Sequence, residues 1–204
     1  MRPEPTLYIV EDDATVRTSL TWLMESAGYR VVGCSSAEEF LAKHKKDEHG
    51  VVILDNGLPG ISGTELVQGY AQTDIEIPVI MLTGERDVKL AVRIMRDGAR
   101  DYLVKPPHPG QLLEVVEAAV EEDARSWWRR RERDDLLVRL ESLTAREREV
   151  LEQLVKGFTN RDAGLALGIS PRTIEVHRGR IMEKMMADTM VDLAARLARH
   201  DISL

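Results

Sequence analysis

Asp55 stands at the centre of a set of residues that could do chemistry together. It closes the apolar run Val51-Val52-Ile53-Leu54 and is followed at once by Asn56-Gly57-Leu58-Pro59-Gly60. The acidic triplet Glu11-Asp12-Asp13 follows Leu7-Tyr8-Ile9-Val10, Thr83 follows Val79-Ile80-Met81-Leu82, and Lys105 follows Tyr102-Leu103-Val104. Short apolar runs closed by polar residues suit buried strands, and in a parallel sheet ligands gather at the carboxyl ends of the strands. Carboxylates, a hydroxyl and an ammonium would then converge on one rim. Such a set suits a hard divalent cation and a phosphoryl group, which need oxygen ligands and a positive counter-charge.

The elements that must position this rim alternate. Strand-like runs at 7–10, 30–34, 51–55, 78–82 and 101–104 are separated by helix-like stretches near 15–27, 36–46, 62–72 and 87–97. Val16, Leu20, Leu23 and Met24 share one helix face, as do Val88, Ala91, Val92 and Met95, and Gly28 and Gly98 sit where helices should stop. The pattern predicts a five-stranded parallel α/β sandwich with helices on both faces.

After Pro109 the alternation ends. From Gln111 to about Leu140 there is no Gly or Pro, which predicts one long helix. Its first third carries an apolar face (Leu112, Val116, Ala119) that could dock on the sheet. Trp127 and Trp128 stand in a run of cations, and Leu136, Leu140 and Leu143 have the spacing of a coiled-coil seam, which Asp123 and Asp134 interrupt. Trp127, Leu136 and Leu140 are therefore candidate dimer contacts, with interdomain core as the other reading of the tryptophans.

Residues 142–204 read as a small all-helical domain. Thr144 with Glu147 forms a capping box, Val150, Leu151 and Leu154 give an apolar face, and Gly157 ends that helix. A short helix from about Asn160 to Leu167, the turn Gly168-Ile169-Ser170, and a third helix opened by Ser170-Pro171 form a helix-turn-helix pattern. A fourth helix follows Asp188. The expected division is 1–122, a helical linker at 123–141, and 142–204.

The net charge of −7 looks unfavourable for a nucleic-acid binder, but it is unevenly spread. Residues 1–123 hold 12 Lys+Arg against 22 Asp+Glu, and residues 124–204 hold 16 against 13. The halves should do different work. A single cysteine, Cys34, excludes an internal disulfide framework and a Cys-based zinc site, and reads as a buried apolar filler. No run is apolar enough to span a bilayer and no basic-then-apolar leader is present, so a cytoplasmic protein with no membrane partner is expected.

The first domain resembles the receiver domain of a two-component response regulator over residues 6–120. The resemblance rests on Val10-Glu11-Asp12-Asp13, Asp55-x-x-Leu58-Pro59-Gly60, Thr83-Gly84 and Lys105-Pro106. The last domain resembles the LuxR/NarL/FixJ helix-turn-helix through Leu143-Thr144-x-Arg146-Glu147-x-Glu149-Val150-Leu151, Gly157-x-Thr159-Asn160-Arg161, Ile169-Ser170-Pro171-Arg172-Thr173-Ile174-Glu175-Val176-His177 and Lys184-Met185. Within that family it is similar to FixJ-type regulators, through Thr83-Gly84-x-x-Asp87-Val88 and the run from Ser170 to His177. Three positions depart from the family pattern. Glu11 replaces an Asp, Pro107-His108-Pro109 replaces an aromatic after Lys105-Pro106, and Ala163-Gly164 replaces Ile-Ala. Glycine inside a helix costs about 0.5–1 kcal/mol relative to alanine, so a less stable domain is expected.

The resemblance implies a role for each rim residue. Asp55 is the phosphoacceptor. Asp12 and Asp55 bind Mg²⁺ directly together with the Gly57 carbonyl, and Glu11 acts through water. Lys105 pairs with the phosphoryl oxygens, and Thr83 donates its hydroxyl to them. Tyr102 matches the switch aromatic, with plain core as the alternative. Asp13 suits a helix N-cap better than a metal ligand. The chain would load and lose its own phosphoryl group without acting on a separate substrate, so it is not expected to be an enzyme.

The third helix, Arg172–Met185, should enter the major groove of DNA. Ile174, Ile181 and Met185 face the core, while Arg172, Glu175, Val176 and Gly179 face outward, flanked by Thr173 and Lys184 at phosphates. Val176 suits a thymine methyl and Glu175 suits cytosine N4, unless Glu175 only pairs with Arg172 or Arg178. The motif adds Asn160 and Arg161 as DNA contacts. The implied partners are a sensor histidine kinase, double-stranded promoter DNA, RNA polymerase and a second copy of the chain. Two alternatives stand beside this reading. One is a phosphatase of the haloacid-dehalogenase type, whose second Asp, two residues after the nucleophile, is Gly57 here. The other is a receiver that takes no phosphate and only dimerises.

Overall fold

The computed structural model describes residues 4–45, 48–70, 75–84 and 88–204. The chain divides into two compact units, Met1–Trp127 and Trp128–Leu204. In the first, strands and helices alternate: β1 (Thr6–Val10), α1 (Ala14–Ser26), β2 (Arg30–Cys34), α2 (Ala37–Lys43), β3 (Gly50–Asp55), α3 (Gly63–Gly69), β4 (Val79–Thr83), α4 (Val88–Arg96) and β5 (Asp101–Val104). All pairings are parallel, in the order β2-β1-β3-β4-β5. The order reverses at β1, which opens a crevice at the carboxyl ends of β1 and β3. That reversal is what brings residues 11–13 beside Asp55.

The period-two alternation of β-strand side chains fills both faces. Leu7 and Ile9 of β1 join Leu20, Met24, Leu112, Val116 and Ala119 on one side. Tyr8 and Val10 join Phe40, Leu66, Val67 and Ile94 on the other. Each fully buried aliphatic side chain contributes about 1.5–3 kcal/mol, and the same burial fixes the strand register. The helices fall where the periodicity puts them, with α1 starting one residue earlier and α2 shorter. α2 stops at Lys43 because His44 turns to extended backbone (φ −65°, ψ 133°). Gly28 and Gly98 end α1 and α4 at φ +88° and +109°. Positions 46, 71, 72 and 87, expected at helix ends, lie outside the described residues, and so does Asp87 of the resemblance motif.

The long helix α5 (Pro109–Glu141) runs from the first unit into the second. It starts two residues earlier than expected because proline suits the first helical position. Leu112, Val116 and Ala119 are fully buried, as their spacing predicts. Asp123, which looked like an interruption of a seam, is instead a fastening point. Its buried carboxylate accepts from the Gly50 N–H at 2.8 Å and lies 3.1 Å from His49 Nδ1. Trp127 is buried beside the His49 ring, at a centroid distance of 6.1 Å.

In the second unit, α6 (Ala145–Val155), α7 (Asn160–Leu167), α8 (Pro171–Met185) and α9 (Met190–Arg199) enclose one core. Thr144, Thr159, Ser170 and Thr189 cap them, each accepting from a backbone N–H three residues on. The core includes Leu136, Leu140 and Leu143 together with Val150, Leu154, Ile174, Ile181 and Leu197. This corrects the expected dimer contacts. Leu136 and Leu140 are covered by the chain's own helices, and Trp127 is buried within the first unit, so none of the three offers an open seam. A seam spacing marks an apolar stripe without saying what covers it.

Gly164 also departs from expectation. A Cβ added there would lie 2.7 Å from the Ile169 carbonyl oxygen, and the Ile169 N–H donates to the Gly164 carbonyl at 3.0 Å. The glycine lets the turn before α8 press on α7, so it stabilises this packing rather than weakening it. Gly164→Ala should therefore destabilise the protein. Alanine gains about 0.5–1 kcal/mol of helix propensity, whereas forcing the turn outward costs about 1–3 kcal/mol. A lower urea midpoint than wild type is expected; a higher one overturns this account.

Candidate functional site

Each rim residue is set by the backbone just before it. The Glu11 N–H donates to the Cys34 carbonyl at 3.0 Å, the Asn56 N–H to Leu82 at 2.9 Å, and the Lys105 N–H to Thr83 at 2.8 Å. These bonds tie the strand ends together, so side chains at the ends of β1, β3 and β5 meet. Glu11, Asp55 and Thr83 are buried, Lys105 is half-buried, and Asp12 is exposed. Lys105 Nζ bridges Glu11 Oε2 at 2.5 Å and Asp55 Oδ1 at 2.9 Å. Carboxylate oxygens of Glu11, Asp12 and Asp55 all lie within 4.8 Å of one another. Gly57 lies against Asp55, since a Cβ there would sit 3.4 Å from Oδ2. Asp13 caps α1, accepting from the Thr15 and Val16 N–H groups at 2.7 and 3.1 Å. Those bonds hold its carboxyl below the usual range, so it belongs to the helix end, not to the acid cluster.

The electrostatics follow from this crowding. Burial pushes the Glu11 carboxyl above its ordinary range, opposed by the hydrogen bond from Lys105 and reinforced by Asp55. Burial alone would depress the Lys105 ammonium, but its bonds to Glu11 and Asp55 outweigh that and hold it above the ordinary range. The acid cluster offers hard oxygens at a spacing one small divalent cation could bridge. Glu11 is also bonded directly to Lys105.

Sequence reasoning did not single out Arg17. Its Nη1 donates to the carbonyls of Glu11 and Asp12 at 2.6 and 3.1 Å, and it fixes the acid loop from below. An arginine four residues after the triplet, on the first turns of α1, was the available signal. Tyr102 is half-buried against the core that contains Met81 and Ile94.

On α8, Ile174, Ile181 and Met185 are fully buried, and Arg172, Thr173, Glu175, Val176 and Gly179 are exposed. Nothing lies within 4 Å of a Cβ added at Gly179. Among the described residues Glu175 forms no salt bridge. Arg161 is exposed and Asn160 half-buried at the start of α7. Exposed Arg180 shares the outward face, four residues beyond Val176 and seven beyond Thr173; the spacing marked it and the sequence reading passed over it. Lys184 departs from expectation, because its ammonium is held by Glu147 and by the Ser142 carbonyl rather than standing ready for a phosphate.

Glu147 makes this arrangement pH-sensitive. The bond from Lys184, then the Thr144 N–H, depress its pKa to about 2. A depressed carboxyl stabilises the fold fully above its unfolded pKa of about 4.3 and loses that contribution as pH falls towards 2. Wild type should therefore lose thermal stability over that window more steeply than Glu147→Gln. Parallel curves would contradict the pairing.

Residues 7–117 match the family described as response regulator receiver domain, and residues 141–197 match the luxR family of bacterial regulatory proteins. The transcriptional regulatory protein FixJ of Rhizobium meliloti is 38% identical over 92% of this chain and 92% of its own. Nodulation protein W of Bradyrhizobium diazoefficiens is 37% identical over 92% of this chain and 82% of its own. Among solved structures, the response regulator StyR superposes with a TM-score of 0.86 at 34% identity, over 97% of this chain and 100% of that one. Full-length FixJ from B. japonicum gives 0.55 at 34% identity, over 97% of both chains. The chain belongs to the two-component response regulators whose DNA-binding part is of the LuxR family. More narrowly, regulators named FixJ are among the relatives it matches over most of its length, and it controls transcription. No helix of the described residues is long and apolar enough to cross a membrane.

Proposed function

We propose that Asp55 accepts a phosphoryl group from a sensor histidine kinase in the cytoplasm and that this controls binding of the second unit to promoter DNA. The observation that carries the reading is the Lys105 ammonium 2.9 Å from a buried Asp55 carboxylate, with the Glu11 and Asp12 carboxylates in the same cluster. Mg²⁺ would be held by Asp12, Asp55 and the Gly57 carbonyl, and when bound it supplies positive charge to the phosphoryl oxygens. The Asp55 oxygen attacks phosphorus, and the bond from phosphorus to the donor breaks. Lys105 would take up charge on the transferred oxygens, Thr83 would donate its hydroxyl to one of them, and Glu11 would orient Lys105 and complete the acid cluster around the cation through water. Water later attacks phosphorus, the bond from phosphorus to Asp55 breaks and inorganic phosphate leaves, so the chain turns over only its own phosphoryl group. Tyr102 would follow Thr83 and alter the surface of α4 and β5, where Val92 and Met95 are exposed. Two copies pairing there would present two reading helices to DNA and to RNA polymerase. On α8, Arg172, Glu175, Val176 and Gly179 would face the bases, with Thr173, Asn160 and Arg161 at phosphates. The receiver would end near residue 122, with 123–141 as linker and 142–204 as the DNA-reading domain.

The test is to incubate the protein with Mg²⁺ and a small phosphodonor and to weigh it. A gain of one phosphoryl mass that Asp55→Asn loses is expected. No gain in wild type would favour a receiver that only dimerises, and a gain that survives in Asp55→Asn would move the acceptor elsewhere.

A further inference from the structure

The inward-turned Lys184 bears on how α8 is aimed. Its Nζ donates to Glu147 Oε2 at 2.6 Å and to the Ser142 carbonyl at 3.1 Å. Glu147 is buried, and the same Oε2 accepts from the Thr144 N–H at 2.9 Å. Thr144 Oγ1 in turn accepts from the Glu147 N–H at 3.2 Å. Ser142 directly follows α5, whose last turn is also held by Arg148, donating to the Leu140 carbonyl at 2.8 Å. One ammonium near the end of α8 therefore crosses to the cap of α6 and to the end of α5.

The remaining contacts of α8 with its domain include Ile174, Ile181 and Met185 in the core. Apolar burial is non-directional and tolerates small rotations of a helix. A short charge-assisted hydrogen bond does not, because it fixes both distance and angle. The two kinds of contact thus do different work: the core holds α8 in place, and the ion pair sets its tilt.

We propose that Lys184 and Glu147 form a strut that sets the register in which Arg172, Glu175 and Val176 meet base edges. Lys184 is a positioning residue for sequence reading and not a phosphate contact. The proposal rests on the DNA-reading role of α8 given above. It separates two quantities that a phosphate contact would move together. Base-edge readout depends on register, whereas binding to an arbitrary duplex depends on the number of phosphates neutralised.

The experiment uses the full chain. Wild type first selects duplexes from a random-sequence pool, and binding to a selected duplex and to a scrambled one is then measured against salt. Lys184→Met, Glu147→Gln and the double variant are compared with wild type. Lys184→Met and Glu147→Gln should each weaken binding to the selected duplex by about tenfold, the scale of one mismatched base pair. The double variant should be no worse than Lys184→Met, since both changes break one interaction. Binding to the scrambled duplex and the salt slope of Lys184→Met should stay as in wild type. A slope reduced by about one, with equal loss on both duplexes, would make Lys184 a phosphate contact and overturn the proposal. Unchanged binding to the selected duplex would overturn it as well. Should Lys184→Met lose its helical circular dichroism, Lys184→Arg takes its place. It keeps the charge a phosphate contact needs, but its planar fork does not reproduce a point donor between a carboxylate and a carbonyl. The strut then predicts weaker selected binding at an unchanged slope, and full wild-type binding overturns it. A wild type that enriches no duplex would overturn the DNA-reading role of α8 itself, a failure distinct from that of the strut.

Discussion

Asp12→Ala is expected to abolish both Mg²⁺ binding and phosphoryl uptake. Of the three clustered carboxylates, Glu11 and Asp55 already share the Lys105 ammonium, at 2.5 and 2.9 Å. Asp12 is the exposed member, and no salt bridge to it is formed among the described residues. Removing it leaves two carboxylates balanced by one cation and no further anion to favour a divalent one. Metal charge stabilisation in such sites amounts to several kcal/mol, so transfer should slow by about a hundredfold or more. Mg²⁺ titration by calorimetry checks the binding, and intact mass after phosphodonor treatment checks the uptake. Full phosphorylation of the variant would remove Asp12 from the metal site. The fold should survive the change, because the Asp12 side chain is exposed and its carbonyl, which accepts from Arg17, is untouched.

The residues that chain order alone could place were those governed by periodicity. Alternating Leu7-Tyr8-Ile9-Val10 fixed a strand buried on both faces, and runs ending at Asp55 and Thr83 fixed where the rim lies. Capping residues marked helix starts at Ser170 and Thr144, because a hydroxyl that meets a free N–H three residues on is a local matter. The positions that read differently in the fold share one reason: each meets a partner outside its own helix, near or far along the chain. Asp123 looks like a break in a stripe until it meets Gly50, and Lys184 looks like a free cation until it meets Glu147. Leu136 looks like a seam residue until α6, α8 and α9 cover it, and Gly164 looks like a weak point until the Ile169 carbonyl comes against it. Spacing states which side of a helix is apolar or charged. It does not state what the fold brings to that side.

Inserting four residues between Trp128 and Arg129 should leave phosphorylation intact and erase the gain in DNA affinity that phosphorylation gives. The acceptor site and α8 belong to different units, and α5 runs from one into the other. Its two ends are fastened by different means. In the first unit Leu112, Val116 and Ala119 are buried in the core, Asp123 takes the Gly50 N–H, and Trp127 packs by His49. In the second, Leu136 and Leu140 enter the core, and Glu132 pairs with Arg196 at 3.5 Å. An insertion between these fastenings disturbs neither. At 3.6 residues per turn and 1.5 Å per residue it rotates everything beyond by roughly 40° and advances it by about 6 Å. Coupling between sites typically amounts to about 1–3 kcal/mol, or about 5–150-fold in affinity. If that coupling passes through helix geometry, a fixed turn and advance of one end should cancel it. DNA titrations of phosphorylated and unphosphorylated insertion variant should then coincide, while the same pair of wild-type titrations differs. A gain that survives the insertion would make α5 a tether only, and phosphorylation would then act by releasing a second unit that the first holds inactive.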